Sequence, residues 1–234
     1  MKNFRIGVVG AGAIGSYYGG KLAAGGCDVH FLIRGDLTKI RREGLRIRGK
    51  DEDVHVAKVN CYNNTKEIGA CDCVIIAVKA TSNADLVNLV PPLLNKRTIL
   101  LTLQNGLGNE EFLAKNFDAE RVLGGLCFIC LSRVSQTMIE RYDYGHIVLG
   151  EYGRKSQERT HDLAAEFKRC GVTCGVTDNL ALERWRKLVW NIPFNGLSIL
   201  GGGVDTSRIL EDVSLRRSAV ALMDEVIAAA NSCG

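Results

Sequence analysis

The stretch FRIGVVGAGAIG, residues 4–15, decides the fold. Phe4 to Val9 is a short apolar run of strand type. A glycine turn follows, and from Ile14 to Ala24 apolar residues recur at helical spacing until Gly25-Gly26 stops them. Val29 to Ile33 is a second strand run, which completes a βαβ unit. The turn reads G-x-G-x-x-G, with Gly10, Ala11, Gly12, Ala13, Ile14 and Gly15 in order. A bare match is weak in a chain with 26 glycines, but its place between strand and helix gives it meaning. The first glycine allows the tight turn, the second lets backbone approach a pyrophosphate, and the third permits close helix packing. The helix N-terminus offers its unpaired N–H groups to the phosphates. A purely structural glycine turn is the competing reading.

Outward from this unit the alternation continues, with a strand from Cys73 to Val78, a helix from Asn83 to Leu94 and a buried strand from Thr98 to Leu103. Such runs imply a parallel sheet covered on both faces. Between Leu126 and Glu151 the pattern turns β-rich, with breaks at Ser135-Gln136 and Tyr144-Gly145, and reads as antiparallel strands flanking the sheet. A helix over 157–168 and a strand over 172–176 follow. At Thr177-Asp178 an N-cap signal opens a stretch where Leu182, Trp185, Leu188, Val189 and Ile192 recur at helical spacing and no strand appears. The expected class is α/β: a Rossmann-type doubly wound parallel sheet with an antiparallel extension over 1–178, then an all-helical and incomplete second domain over 179–234.

Thirty Lys+Arg against 26 Asp+Glu leave a net charge of +4, too small and too scattered for nucleic-acid binding. A small anionic ligand fits better. The apolar share of 46% excludes disorder, and no 18-residue apolar stretch occurs, so no membrane span is expected. Nine cysteines in a chain of enzyme size without a signal-peptide pattern read as a reducing, cytoplasmic compartment. Cys127 and Cys130 fall on opposite faces of a strand, while Cys71 and Cys73 share a face but have no histidine pair nearby, so no metal is assigned. His30, His55, His146 and His161 are isolated, and the charged runs Arg41-Arg42-Glu43 and Lys50-Asp51-Glu52-Asp53 read as solvated loop faces.

The end of the second strand distinguishes the two nicotinamide dinucleotides, because an acid there binds the ribose 2′-hydroxyl whereas an arginine accepts a 2′-phosphate. Here stands Arg34, which favours NADP, with Asp36 two residues on as the acidic alternative. Lys79 and Asn105 end strand runs, where ligands bind in open α/β sheets; a solvated lysine and Asn-Gly turn chemistry are the bland alternatives. Lys187, Asn191 and Asn195 are spaced by four, within about 80° of one another on a helix of 3.6 residues per turn. A lysine among Arg184, Arg186 and Lys187 also reads as a solvated face. Pro193 is expected to kink or end this helix.

This combination, from GAGAIG through VIIAVKA and LQNGLG to ERWRKLVWNIPFNGLSIL, resembles the 2-dehydropantoate 2-reductase (ketopantoate reductase) family over essentially the whole chain. The resemblance implies NADP(H) held by Gly10 to Gly15 and Arg34, with Lys79 and Asn105 serving cofactor and nearby substrate. It marks Cys130 as lining the cofactor pocket, Lys187 as proton donor, and Asn191 and Asn195 as substrate-binding. A further substrate-binding asparagine of the family aligns with Asp205. The family continues with helices that supply a serine and a glutamate, and the 234 residues read as a truncated member. The implied reaction is NADPH-dependent reduction of the 2-oxo acid 2-dehydropantoate to pantoate, in pantothenate and coenzyme A biosynthesis, with a homodimer left open. A reductase of another 2-oxo acid or imine, or a non-catalytic NADP-binding sensor, are the alternatives.

Overall fold

A computed structural model describes residues 4–234. Contacts divide the chain into two compact units, the first ending at Leu180 and the second opening at Ala181. In the first unit the strands β1 (Arg5–Val9), β2 (Asp28–Leu32), β5 (Asn60–Tyr62), β6 (Cys73–Ile76), β7 (Ile99–Thr102) and β8 (Val122–Arg133) pair in parallel in the order β5-β2-β1-β6-β7-β8. This is the doubly wound dinucleotide-binding order. The helices α1 (Ala13–Ala24), α4 (Asn83–Leu89), α5 (Asn109–Phe117) and α6 (Glu158–Arg169) belong to the same unit.

Side chains alternate across the sheet as strand geometry dictates. Ile6, Val8, Cys73, Ile75, Ile99 and Leu101 join Tyr18, Leu22 and Phe167 in one core layer. Val9, Val74, Ile76 and Leu100 join Leu86, Leu93 and Leu113 in the other. Each fully buried Leu, Ile or Phe contributes about 1.5–3 kcal/mol, and the two layers fix where the strand ends lie.

The antiparallel extension is β8 against β9 (Met138–Glu151). Its far edge is not antiparallel, however. The first part of β9 pairs in parallel with β3 (Leu45–Gly49) and its last part in parallel with β10 (Cys174–Thr177). The break expected at Tyr144-Gly145 is a bulge inside β9: both residues have positive φ, 57° and 135°, and the register against β8 shifts there while the strand continues.

The run Lys50 to Asp53 is a hairpin turn and strand rather than a solvated loop face. The strand β4 (Glu52–Val56) pairs antiparallel with β3, and Glu52, with its side chain only 13% exposed, accepts from Lys21 of α1 at 2.9 Å and from Arg141 at 2.6 Å. Arg41-Arg42-Glu43 closes the helix α2 (Leu37–Glu43). Cys71 and Cys73 do not share a face: Cys71 precedes the strand and joins the layer of Val74, while Cys73 joins that of Ile75. The helix expected over 83–94 stops at Leu89 as an α-helix, because Pro91-Pro92 withhold two amide donors and a 3₁₀ turn takes over. His30 is not isolated, since it bonds Asp28 at 2.8 Å and Tyr62 at 3.1 Å. His146 stacks on Phe128.

The second unit is helical: α7 (Leu180–Leu200, beginning at the boundary), α8 (Thr206–Glu211) and α9 (Val213–Ser232). Phe194, Leu197, Ile209 and Ala219 form its own small core. Pro193 does not end α7, which runs on to Leu200 without the bond that a residue 193 amide would give the Val189 carbonyl.

Candidate active site

In the order β5-β2-β1-β6-β7-β8 the winding reverses between β1 and β6, and ligands bind outside the strand carboxyl ends at such a switch point. A cleft of about 620 Å³ lies there, lined by the 10–14 loop, by 32–35 after β2, by 77–80 after β6, by 103–105 after β7, and by Arg133.

Each glycine of the loop has a distinct physical reason. Gly10 has φ +104°, and a Cβ there would collide with the backbone of Ala77 and Val78, so glycine brings the loop against the end of β6. At Gly15 a Cβ would collide with the Gly10 carbonyl, which closes the turn onto α1. Gly12 is different: no protein atom lies within 4 Å of a Cβ built there. Protein packing therefore does not demand glycine at 12, and its backbone is open to close approach. Gly12 is also the N-cap of α1, with no capping side chain and no acid in the first turn, which leaves the helix end suited to an anion. Burial of Tyr17 and the nearby Glu52 carboxylate push its phenol up to about 12, so it stays neutral while Glu52, Lys21 and Arg141 pin α1.

Arg34 reaches the cleft from the end of β2 with its side chain 72% exposed and donates to Asp85 at 3.4 Å. Asp36 is committed elsewhere. Its Oδ1 caps α2, accepting from the amides of Thr38 at 2.9 Å and Lys39 at 3.2 Å. Lys79 and Asn105 both line the cleft and are exposed. Cys130 lies on β8 outside that lining, and Arg133, three residues on, is the β8 residue that borders the cleft. Sequence reasoning missed Arg133 because its approach depends on how far β8 runs before turning. With Arg34 and Lys79 it gives the rim three cations, and with the uncapped helix end and the open backbone at Gly12 it fits a phosphorylated dinucleotide.

Also missed was the support behind Lys79 and Asn105. Gln104, 5% exposed, accepts from the Thr102 hydroxyl at 3.0 Å and donates to the Val78 carbonyl at 3.1 Å and to Asn83 Oδ1 at 2.7 Å. Asn83 donates to Asn109 at 3.0 Å, and Asn109 donates to the Asn105 carbonyl at 3.0 Å. A relay of amides thus ties the carbonyl beside Lys79 to that of Asn105. The motif LQNG signals a turn, but nothing in it reveals that Gln104 points inward.

In the second unit Lys187, Asn191 and Asn195 follow one another along a single α-helix, as their spacing requires. Lys187 and Asn191 are half-buried and Asn195 is exposed. Asp205 is the N-cap of α8, its Oδ1 accepting from the Arg208 amide at 2.9 Å. That role accounts for an acid at 205 without reference to substrate.

The family model described as ketopantoate reductase PanE/ApbA matches residues 6–154, and that of its C-terminal part matches 179–234. A 2-dehydropantoate 2-reductase of Nostoc is 39% identical over 100% of this chain and 75% of its own length. The crystal structure of the 2-dehydropantoate 2-reductase from Geobacter metallireducens superposes with a TM-score of 0.95 at 43% identity, covering 99% of this chain and 76% of that one. The enzyme of the same name from Methylococcus capsulatus gives 0.88 at 34% identity, over 98% and 74%. Glycine loop, switch-point cleft and helical second unit thus occur together in a chain that belongs to the ketopantoate reductase family of nicotinamide-nucleotide-dependent oxidoreductases.

Proposed function

We propose that this chain binds NADPH in the β1–β6 cleft and reduces 2-dehydropantoate to pantoate. The observation that carries the reading is the switch-point cleft with Arg34, Lys79 and Arg133 on its rim, in a chain of this family. Arg34 is the group to pair with a 2′-phosphate, and the capping duty of Asp36 removes the acid that would favour the unphosphorylated cofactor. When bound, a reduced nicotinamide supplies the hydride. The protein's own part is to hold and protonate the substrate. Lys187 is the proposed general acid that protonates the alkoxide oxygen, its ammonium also stabilising the negative charge that develops there. Asn191 and Asn195 orient the 2-oxo acid through their amides, and Asn105 serves both cofactor and substrate. Nine cysteines, all free thiols, fit a reducing compartment. Among the described residues no helix is long and apolar enough to cross a membrane.

The test is loss of NADPH absorbance with a panel of 2-oxo acids. 2-Dehydropantoate should be turned over fastest, and a different preferred acid would overturn the substrate assignment. Lys187→Ala should cut turnover by about 10²-fold or more while NADPH still binds. Unchanged turnover would return Lys187 to a solvated helix face.

A further inference from the structure

At the amino ends of the same strands, away from the cleft, Cys27, Glu166 and Cys170 converge, with their Sγ and carboxylate oxygen atoms all within 4.8 Å of one another. Cys27 leads into β2. Glu166 and Cys170 are one helical turn apart at the end of α6 and present a common face. The two sulfurs are 3.6 Å apart, and the Cys27 thiol donates to Glu166 Oε1 at 3.1 Å.

We propose that this cluster is a binding site for a thiophilic divalent cation of the zinc class. A tetrahedral ion with sulfur at about 2.3 Å and oxygen at about 2.0–2.2 Å sets edges of about 3.8 Å between sulfurs and about 3.5 Å between sulfur and oxygen. The Cys27–Cys170 and Cys27–Glu166 contacts differ from these by a few tenths of an ångström, and the third edge lies within 4.8 Å. Charge closes as well. On binding, the two thiol protons leave to solvent, and two thiolates, one carboxylate and the dication sum to one negative charge. Arg169 supplies the matching positive charge: its guanidinium donates to both Glu166 oxygens and lies 3.4 Å from Cys27 Sγ, while Nη1 is anchored on the Gly25 carbonyl at 2.7 Å. It is the outer partner that orients a ligating carboxylate. Gly25 makes room for the cluster, since a Cβ there would collide with Cys170 Sγ. A cavity of about 160 Å³, lined in part by Cys27, Glu166 and Arg169, gives entry and a fourth coordination position. The ion would staple α6 to the α1–β2 turn, joining positions 143 residues apart.

The experiment uses Co²⁺ as a spectroscopic probe on the whole chain, stripped with a chelator and reduced with a phosphine. Expected are one bound equivalent and a thiolate-to-cobalt charge-transfer band, both lost in Cys27→Ser and in Cys170→Ser and both kept in Cys130→Ser and Cys233→Ser. Arg169→Gln should weaken affinity about 10- to 100-fold. Zn²⁺ should raise the thermal midpoint of the unmodified chain and not of Cys27→Ser, each variant being shown folded by a cooperative circular-dichroism melt. A reduced, folded chain that takes up no cobalt overturns the proposal, as does a band that survives in both serine variants.

Discussion

Gly12 and Gly15 separate ligand binding from folding within one turn of chain. Gly15→Ala drives a methyl into the Gly10 carbonyl, and overpacking of this kind costs on the order of 1–3 kcal/mol. Gly12→Ala meets nothing in the protein and should leave the unfolding midpoint within about 0.5 kcal/mol of its value. On the proposed function its methyl would stand where the pyrophosphate approaches, so NADPH affinity should fall about tenfold or more, equivalent to about 1.4 kcal/mol. Calorimetric titration beside thermal melts checks the pair, and a Gly12→Ala chain that binds as before would show that the ligand does not use that backbone. Arg34 allows a second contrast. A hydrogen bond to a charged group contributes about 1.5–3 kcal/mol, so Arg34→Ala should weaken NADPH by about 10- to 100-fold and leave NADH nearly unchanged. Equal losses would mean that Arg34 does not read the 2′-phosphate. Both contrasts are expected from the sequence, because a glycine fingerprint and the residue after the second strand have meaning once strand and helix are placed. Arg133 was not legible, since its approach to the cleft comes from the length of β8 and its pairing with a bulged β9.

At the level of elements, the strands that the pattern revealed are those buried on both faces, such as β1, β6 and β7, where VVG, VIIAV and LLTL admit no other period. The strands it hid are β3, β4 and β5. β3 reaches the sheet through β9 and β5 through β2, both distant in sequence, and the alternation of Arg46, Ile47 and Arg48 with one buried residue mimics a charged loop. Glu52 shows the same limit: a carboxylate amid Lys50, Asp51 and Asp53 looks solvated until the hairpin carries it to Lys21 and Arg141. The loops after β6 and β7 illustrate how an element end becomes a site. Gln104 joins them through buried amides, so Gln104→Leu, close in size but unable to bond, takes the donor away from Asn83 Oδ1 and the Val78 carbonyl. The expected loss is about 1–3 kcal/mol in stability. Faster hydrogen exchange confined to 78–83 and 103–109 and weaker NADPH binding should accompany it. If stability falls while exchange in those loops and affinity hold, the relay is packing and does not position Lys79 and Asn105.

Across the first unit as a whole, stability should depend on pH through groups whose charge the fold has settled. Burial pulls the His30 imidazole below its ordinary value, and the Arg5 guanidinium adds to this. The unfolded chain therefore takes up that proton first, and stability begins to decline as pH falls through about 6.5. Glu151 acts lower on the scale. Burial by itself would raise this 1%-exposed carboxyl, but hydrogen bonds from Arg159 and Thr160 and the charges of Arg159 and Arg154 outweigh it and hold the group below the usual carboxylate range. A depressed carboxylate contributes stability that is complete above its unfolded pKa of about 4.3 and is lost as pH falls through the folded value. Glu52 is depressed in the same way, the hydrogen bonds from Lys21 and Arg141 exceeding the cost of burial. Each ties one element to another: Glu151 the end of β9 to the start of α6 that follows it, and Glu52 the β3–β4 hairpin to the distant α1 and β9. Acid should therefore release the helices that flank the sheet before it frays the parallel strands, whose contacts are apolar. Glu151→Gln should lower stability at neutral pH, because Arg159 and Arg154 lose the charge they face, Arg154 retaining Glu120, yet flatten the curve below about pH 4.3 and leave the His30 limb above it unaltered. Urea titrations of both chains between pH 3 and 7.5 measure this directly, and parallel curves through the acid range would show that Glu151 carries no linked proton.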